Sequence, residues 1–136
     1  MDDAGGQIVT TGKRHFLKDG KPQETLLHSE QKSIPARRGG GTLKFAWYGF
    51  VDKTGRQVIT RYSLAWINPI LFVGDNGRVL GFDNAHGFHH RHFMGVVEAV
   101  EYSNFEATFD RFVSEWQTLV QKRMAQTRHN RWSRKT

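Results

Sequence analysis

The sequence predicts an α+β fold: an antiparallel sheet of about four strands with a C-terminal amphipathic helix packed on one face. Two observations lead to this prediction. Short runs rich in aromatic and β-branched residues, separated by turn signals, fill residues 42 to 102. A single apolar stripe at helical spacing follows them, from Phe105 to Leu119. A series of strands followed by a helix is typical of α+β domains, in which the helix covers the apolar face of the sheet.

Turn signals divide the predicted sheet into its strands. The first strand, "TLKFAWYGFVD", turns at "KTG" into the second, "RQVITRYSLAWI". The second ends at Asn68-Pro69, because proline lacks the N–H group that a central strand needs. Asn76-Gly77 is a strong hairpin signal and precedes the third strand, "VLGFDN". The fourth, "FMGVVEAVEY", comes after a segment rich in histidine.

The predicted helix starts at Ser103 and runs to about Gln126. Ser103 and Glu106 have the S-x-x-E spacing of a capping box, in which two side chains satisfy N–H groups at the helix start. The apolar residues that follow step by four or three positions, so they should form one face that packs on the sheet: Phe105, Phe109, Phe112, Trp116 and Leu119.

A length of 136 residues suits one domain with flanking segments. Residues 1 to 41 lack sustained periodicity and end in "PARRGGG", so we expect a flexible basic N-terminal arm. The core domain covers residues 42 to 126. Residues 127 to 136 form a basic C-terminal tail, in which arginines and a tryptophan could contact the phosphates and bases of nucleic acid, although a solvated end has the same composition. The candidate contacts are Arg128, Arg131 and Arg134.

Composition narrows the class of protein. The net charge is +7 and there is no cysteine, which excludes disulfides and thiolate chemistry. No apolar stretch approaches the roughly 20 residues that span a bilayer, and "MDDAGG" does not begin a signal peptide. We therefore expect a cytoplasmic protein with no membrane partner.

The segment "DNAHGFHHRHFMG", residues 83 to 95, contains four of the seven histidines. Three interpretations stay open. The histidines could be incidental to function. They could bind a metal, because His90 and His92 share a face of an extended segment and His86 and Asp83 could complete the ligands, although Arg91 would repel the cation.

The third interpretation is cleavage of RNA without a metal. This reaction needs a base for the 2′-hydroxyl, an acid for the leaving oxygen and a cation for the phosphate. Two histidines can hold opposite protonation states near neutral pH, and arginine matches the geometry of phosphate. His90 and His92 could be base and acid in either order, with Arg91 or Arg61 holding the phosphate.

The run "YSLAWINP…GDNGRVLGFDNAHGFHHRHFMG", followed by "SNFEATFDRFVSEW", resembles the TumE family of toxin components of bacterial toxin–antitoxin modules. The resemblance covers roughly residues 42 to 120. It is specific in the histidine segment and loose elsewhere, and it rests on Asp83, Asn84 and His86, on residues 89 to 92, and on Phe109, Phe112 and Trp116. It implies a small cytosolic protein that inhibits growth and that a cognate antitoxin protein neutralises.

Residues and resemblance together predict the toxin of a type II module that acts as a metal-independent endoribonuclease, on RNA or on the ribosome, without a cofactor. His90 and His92 would be the acid–base pair. His86 and His89 would support them, Arg91 would hold the phosphate and Asp83 would orient an imidazole. The alternative is a non-catalytic protein that binds nucleic acid or a partner, or a protein with a histidine-ligated metal.

Overall fold

Residues 23 to 135 form one antiparallel sheet of six strands, followed by one long helix. The structure, a computed structural model, describes residues 23 to 135 without the side chains of residues 131 and 133 to 135. The strands lie side by side in chain order, so each pairs with its sequence neighbour. They are β1 (Thr25–Ser33), β2 (Thr42–Val51), β3 (Gln57–Ile67), β4 (Arg78–Asp83), β5 (His90–Phe93) and β6 (Val96–Ala99), and the helix is α1 (Phe105–Lys135).

The predicted α+β class is confirmed, but the predicted number of strands was too low. The segment expected as the fourth strand contains a turn at Met94 and Gly95, whose φ angles are 45° and 85°, and this turn divides it into β5 and β6. The other extra strand, β1, lies in the segment expected as an N-terminal arm and pairs with β2. Residues 1 to 22 of that arm lie outside the described residues.

Side chains alternate between the two faces of the sheet. One face packs against α1, and its buried residues form the core with Phe105 and Phe112 of the helix: Leu43, Phe45, Tyr62, Leu64, Trp66, Leu80 and Phe82. We call the opposite face the helix-free face. The strand register places on it Lys44, Ala46, Ser63, Ala65, Asp83, His90 and His92.

The predicted apolar stripe of the helix is confirmed. Phe112 is fully buried and Phe105 nearly so, while the other stripe residues pack against the core: Phe109, Trp116 and Leu119. The helix continues beyond Gln126 to Lys135, through the segment expected as a tail. No glycine or proline occurs in this extension, so nothing in its sequence stops the helix.

The helix begins at Phe105 and its N-cap is Asn104 rather than Ser103. The Ala107 N–H donates a 2.8 Å hydrogen bond to Oδ1 of Asn104, which is the contact that an N-cap residue makes at the third helical position. Serine and asparagine are both good N-cap residues, and they are adjacent here. The S-x-x-E spacing to Glu106 therefore led to the wrong prediction of Ser103 as the N-cap.

Asn104→Ala should therefore lower the free energy of unfolding by about 1 kcal/mol, because it leaves an N–H group of the first helical turn without its partner. Ser103→Ala is the matched control and should cost much less. Urea unfolding of both variants measures the difference. A larger loss from Ser103→Ala would show that the cap is assigned to the wrong residue.

Candidate functional site

A cluster of one carboxylate and two imidazoles lies on the helix-free face, where β4 ends and β5 begins. The register pairs Asp83 with His90 and Gly81 with His92. Residues two apart on a strand point to the same face, so both imidazoles project beside the Asp83 carboxylate. We call these three residues the Asp83–His90–His92 cluster. The prediction that His90 and His92 lie on one face is confirmed.

The carboxylate of Asp83 lies between the two imidazoles. Nε2 of His92 donates a 2.7 Å hydrogen bond to Oδ2 of Asp83. Oδ1 of Asp83 lies 3.4 Å from Nδ1 of His90, and the two imidazole centroids are 5.9 Å apart. The cluster is largely buried, since Asp83 is 9% exposed and His90 is 7% exposed. Each carboxylate oxygen therefore faces one ring, but only the His92 ring is hydrogen-bonded to it.

Two ring nitrogens in the cluster are buried without a hydrogen-bond partner among residues 23 to 135: Nδ1 of His90 and Nδ1 of His92. A buried polar atom without a partner costs about 1–3 kcal/mol, so packing alone does not explain this arrangement. Nε2 of His90 is not one of these buried atoms, and it forms no hydrogen bond with the described part of the chain. It is the nitrogen of this ring that a substrate at the surface can reach.

Arg78 is the cation closest to the cluster, and sequence reasoning missed it. Its Nη1 lies 3.8 Å from Oδ2 of Asp83. Its Nε and Nη2 donate to the two carboxylate oxygens of Asp75, at 2.8 and 3.1 Å, and this hydrogen bonding lowers the pKa of Asp75. A β-carbon on Gly81 would lie 2.8 Å from Cδ of Arg78, so the glycine makes room for the arginine stem.

Arg91 was predicted to hold phosphate beside these imidazoles, but the structure does not bring it to the cluster. It lies between His90 and His92 in sequence and therefore points to the opposite face. There its Nε donates to Glu115 of α1 at 2.8 Å and its Nη1 to Glu98 at 3.2 Å. Arg91 thus connects β5 to β6 and to the helix.

His89 also lies away from the cluster. Its ring stacks on Tyr102 with a centroid distance of 3.8 Å, and its Nδ1 is 2.8 Å from the hydroxyl of Tyr62. Burial, and then the nearby His90, lower the pKa of His89. Burial raises the pKa of Tyr62, so its hydroxyl stays protonated and donates a hydrogen bond to Nδ1 of the His89 ring. His86 is exposed, in a turn with a φ of 64°.

The predicted phosphate-binding arginines are divided between the two faces. Arg61 lies on the helix-free face, stacks over Tyr48 at 3.7 Å and donates from Nε to Glu24 at 3.0 Å. Arg128 is exposed on α1, which packs on the opposite face. The side chains of Arg131 and Arg134 lie outside the described part of the molecule. Of the two predicted arginines whose side chains are described, Arg61 shares a face with the cluster and Arg128 does not.

A groove of about 330 Å³ lies on the helix-free face next to Arg78, the residue that contacts the Asp83 carboxylate. Arg78 and Asp75 form one end of it, beside the cluster, and Lys44 and Ser63 line its floor. The register pairs Ser63 with Asp83, so the floor of the groove and the carboxylate are neighbours on adjacent strands. The groove thus has polar and cationic side chains, and two of its residues, Arg78 and Ser63, are neighbours of Asp83.

No family model, no curated protein and no solved structure matches this chain. Among residues 23 to 135, no helix is both long and apolar enough to cross a membrane. What this site can do chemically is therefore inferred from the positions of its own side chains.

The lowered pKa of His89 makes stability depend on pH. A histidine with a lowered folded-state pKa contributes full stability above its ordinary pKa of 6.5, and this contribution is lost as the pH falls through the lower, folded-state pKa. His89→Gln removes the titrating ring, so its free energy of unfolding should fall less steeply between about pH 7 and pH 5. Urea unfolding across this range tests it, and an equally steep fall in the variant would contradict it.

Arg91→Ala should lower the free energy of unfolding by about 1–2 kcal/mol, because it breaks the ion pairs that join β5 to α1 and β6. Arg111→Ala is the matched control. Arg111 also pairs with Glu115, but its side chain is 46% exposed against 21% for Arg91, so its loss should cost less. Equal losses in thermal unfolding would show that Arg91 has no special structural role.

Proposed function

We propose that the protein is the cytoplasmic toxin of a type II toxin–antitoxin module and that it cleaves RNA by metal-independent acid–base catalysis. Its partners would be RNA, free or in the ribosome, and a cognate antitoxin protein. The toxin role rests on the resemblance of the histidine segment. The observation that carries the ribonuclease proposal is the carboxylate of Asp83, which lies 2.7 Å from one imidazole and 3.4 Å from another.

The two rings suit different steps of the reaction. In RNA cleavage the 2′-hydroxyl loses a proton and attacks the phosphorus, and the departing 5′-oxygen gains a proton. Nε2 of His90 is the open nitrogen of its ring, so we assign His90 as the base. We assign His92 as the acid: Asp83 accepts its Nε2 hydrogen, so the proton for the 5′-oxygen would come from Nδ1 of the doubly protonated ring, which has no partner among the described residues. Asp83 orients both rings, as a carboxylate does beside a catalytic histidine.

Arg78 takes the phosphate-binding role that Arg91 cannot fill from the other face. Arginine is suited to the oxygens of a phosphodiester, and Nη1 of Arg78 already faces the cluster. Lys44 and Arg61 add positive charge on the same face, where side chains can contact further phosphates. The groove lined by Lys44 and Arg78 is open at the surface, and Arg78 connects it to the Asp83 carboxylate. A single RNA strand laid along it would bring a phosphodiester to the cluster.

The test is RNA cleavage by the purified chain, together with growth after its induction. The wild type should cleave RNA in the presence of a chelator and should arrest growth. His90→Ala should lower the cleavage rate by about 100-fold or more, the usual contribution of acid–base catalysis. His129→Ala is the matched control, because it removes an exposed imidazole on α1, and it should cleave like the wild type.

Arg78→Gln separates binding from catalysis in the same assay. It should raise the RNA concentration needed for half-maximal rate and make that concentration less dependent on salt, because one phosphate contact is lost. A folded His90→Ala chain that cleaves at the wild-type rate would rule out the proposed mechanism. Growth arrest by both chains with intact RNA would favour the non-catalytic binding protein.

A further inference from the structure

We infer that the Asp83–His90–His92 cluster binds a divalent transition-metal ion such as Zn²⁺, and that this ion switches off the acid–base chemistry. The metal site is argued from geometry alone. The switch rests on the proposed function, because it requires the two imidazoles to be catalytic.

The spacing of the three side chains suits a metal ion. One ligand atom from each residue can be chosen so that all three lie within 4.8 Å of one another. Bonds of about 2.0–2.1 Å in a tetrahedral site separate neighbouring ligand atoms by about 3.3 Å. Oδ1 of Asp83 and Nδ1 of His90 are 3.4 Å apart and form no hydrogen bond. That separation is typical of two ligands of one ion.

The unpartnered nitrogen of His90 is an independent observation that points to the same ligand. The residue is 7% exposed, and its Nδ1 has no hydrogen-bond partner among the described residues although it faces the Asp83 carboxylate. A metal ion between them would satisfy this atom. The other contact needs only a small adjustment, because Nε2 of His92 must release its proton and move slightly away from Oδ2.

The ligand types select the class of ion. Two imidazoles and one carboxylate suit zinc and its first-row neighbours, whereas magnesium and calcium prefer oxygen ligands alone. Charge also favours a cation. Two carboxylates, of Asp75 and Asp83, lie near one guanidinium, of Arg78. The sequence suggested that Arg91 would repel a bound cation, but Arg91 lies on the other face and pairs with Glu115.

A bound ion would make both catalytic rings inactive. A neutral imidazole that binds metal through Nδ1 carries its one proton on Nε2, so Nε2 of His90 could no longer accept a proton from RNA. Nε2 of His92 would become a ligand after releasing its proton, so the ring would stay neutral with its one proton on Nδ1 and could not take the doubly protonated form of a general acid. The ion and the reaction thus compete for the same two rings.

The first experiment measures the metal site without RNA. The purified full chain is stripped with a chelator and titrated with Zn²⁺ by calorimetry and with Co²⁺ by visible absorption. The wild type should bind one ion, with the absorption of a four-coordinate Co²⁺ site. His90→Ala and Asp83→Asn should each weaken binding roughly tenfold or more, and His129→Ala should bind like the wild type. Circular dichroism confirms that each variant is folded.

Two results would overturn the metal site. One is a folded wild type that binds no Zn²⁺ at about 0.1 mM, far above the range of a dedicated site. The other is equally tight binding by His90→Ala and Asp83→Asn, which would place the ion elsewhere. Asp83→Asn keeps the size of the side chain, so it tests the site even if His90→Ala does not fold.

The second experiment adds RNA and separates the two proposals. One equivalent of Zn²⁺ should abolish cleavage by the wild type, and excess chelator should restore it. Zn²⁺ binding by a chain that never cleaves RNA would leave the metal site standing and overturn the switch and the proposed function. Cleavage that zinc leaves unchanged or accelerates, in a chain that binds it at the cluster, would leave the metal site standing and overturn both the switch and the assignment of His90 and His92 as base and acid.

Discussion

The antiparallel register between β4 and β5 is the constraint on which the candidate site depends. It pairs Asp83 with His90 and Gly81 with His92, so a carboxylate, two imidazoles and a gap for the Arg78 stem fall on one face. A shift of one residue would exchange the two faces of β5. Arg91 would then lie beside Asp83, and His90 and His92 would point into the helix. The salt bridge from Arg91 to Glu115 on α1 therefore helps to hold the register that forms the cluster.

Side-chain periodicity was enough to predict the parts of the fold that bury many apolar residues. The strands β2, β3 and β4 and the apolar stripe of α1 were predicted because each repeats its apolar residues at the spacing of its own element. The same alternation placed His90 and His92 on one face. These features depend only on local geometry, so a single sequence contains them.

Features set by pairing between distant segments were not predictable in this way. β1 is mostly exposed and has no apolar alternation, because as an edge strand it contributes little to the core. Arg78 reaches the cluster only because Gly81 has no side chain in its path. Arg91 was assigned to the site by its position in the histidine segment, and alternation along β5 sends it to the other face. Each of these three features depends on which strands pair and in which register.

The order of the strands in the sheet has a consequence for how the chain folds. Every strand pairs with the one before it in sequence, so each hairpin can close as soon as its second strand is synthesised, and few contacts must wait for distant segments. The helix that covers the sheet comes last. During synthesis the apolar face bearing Trp66 and Phe82 therefore remains uncovered until α1 emerges, and a nascent chain halted before Phe112 would expose it to other proteins.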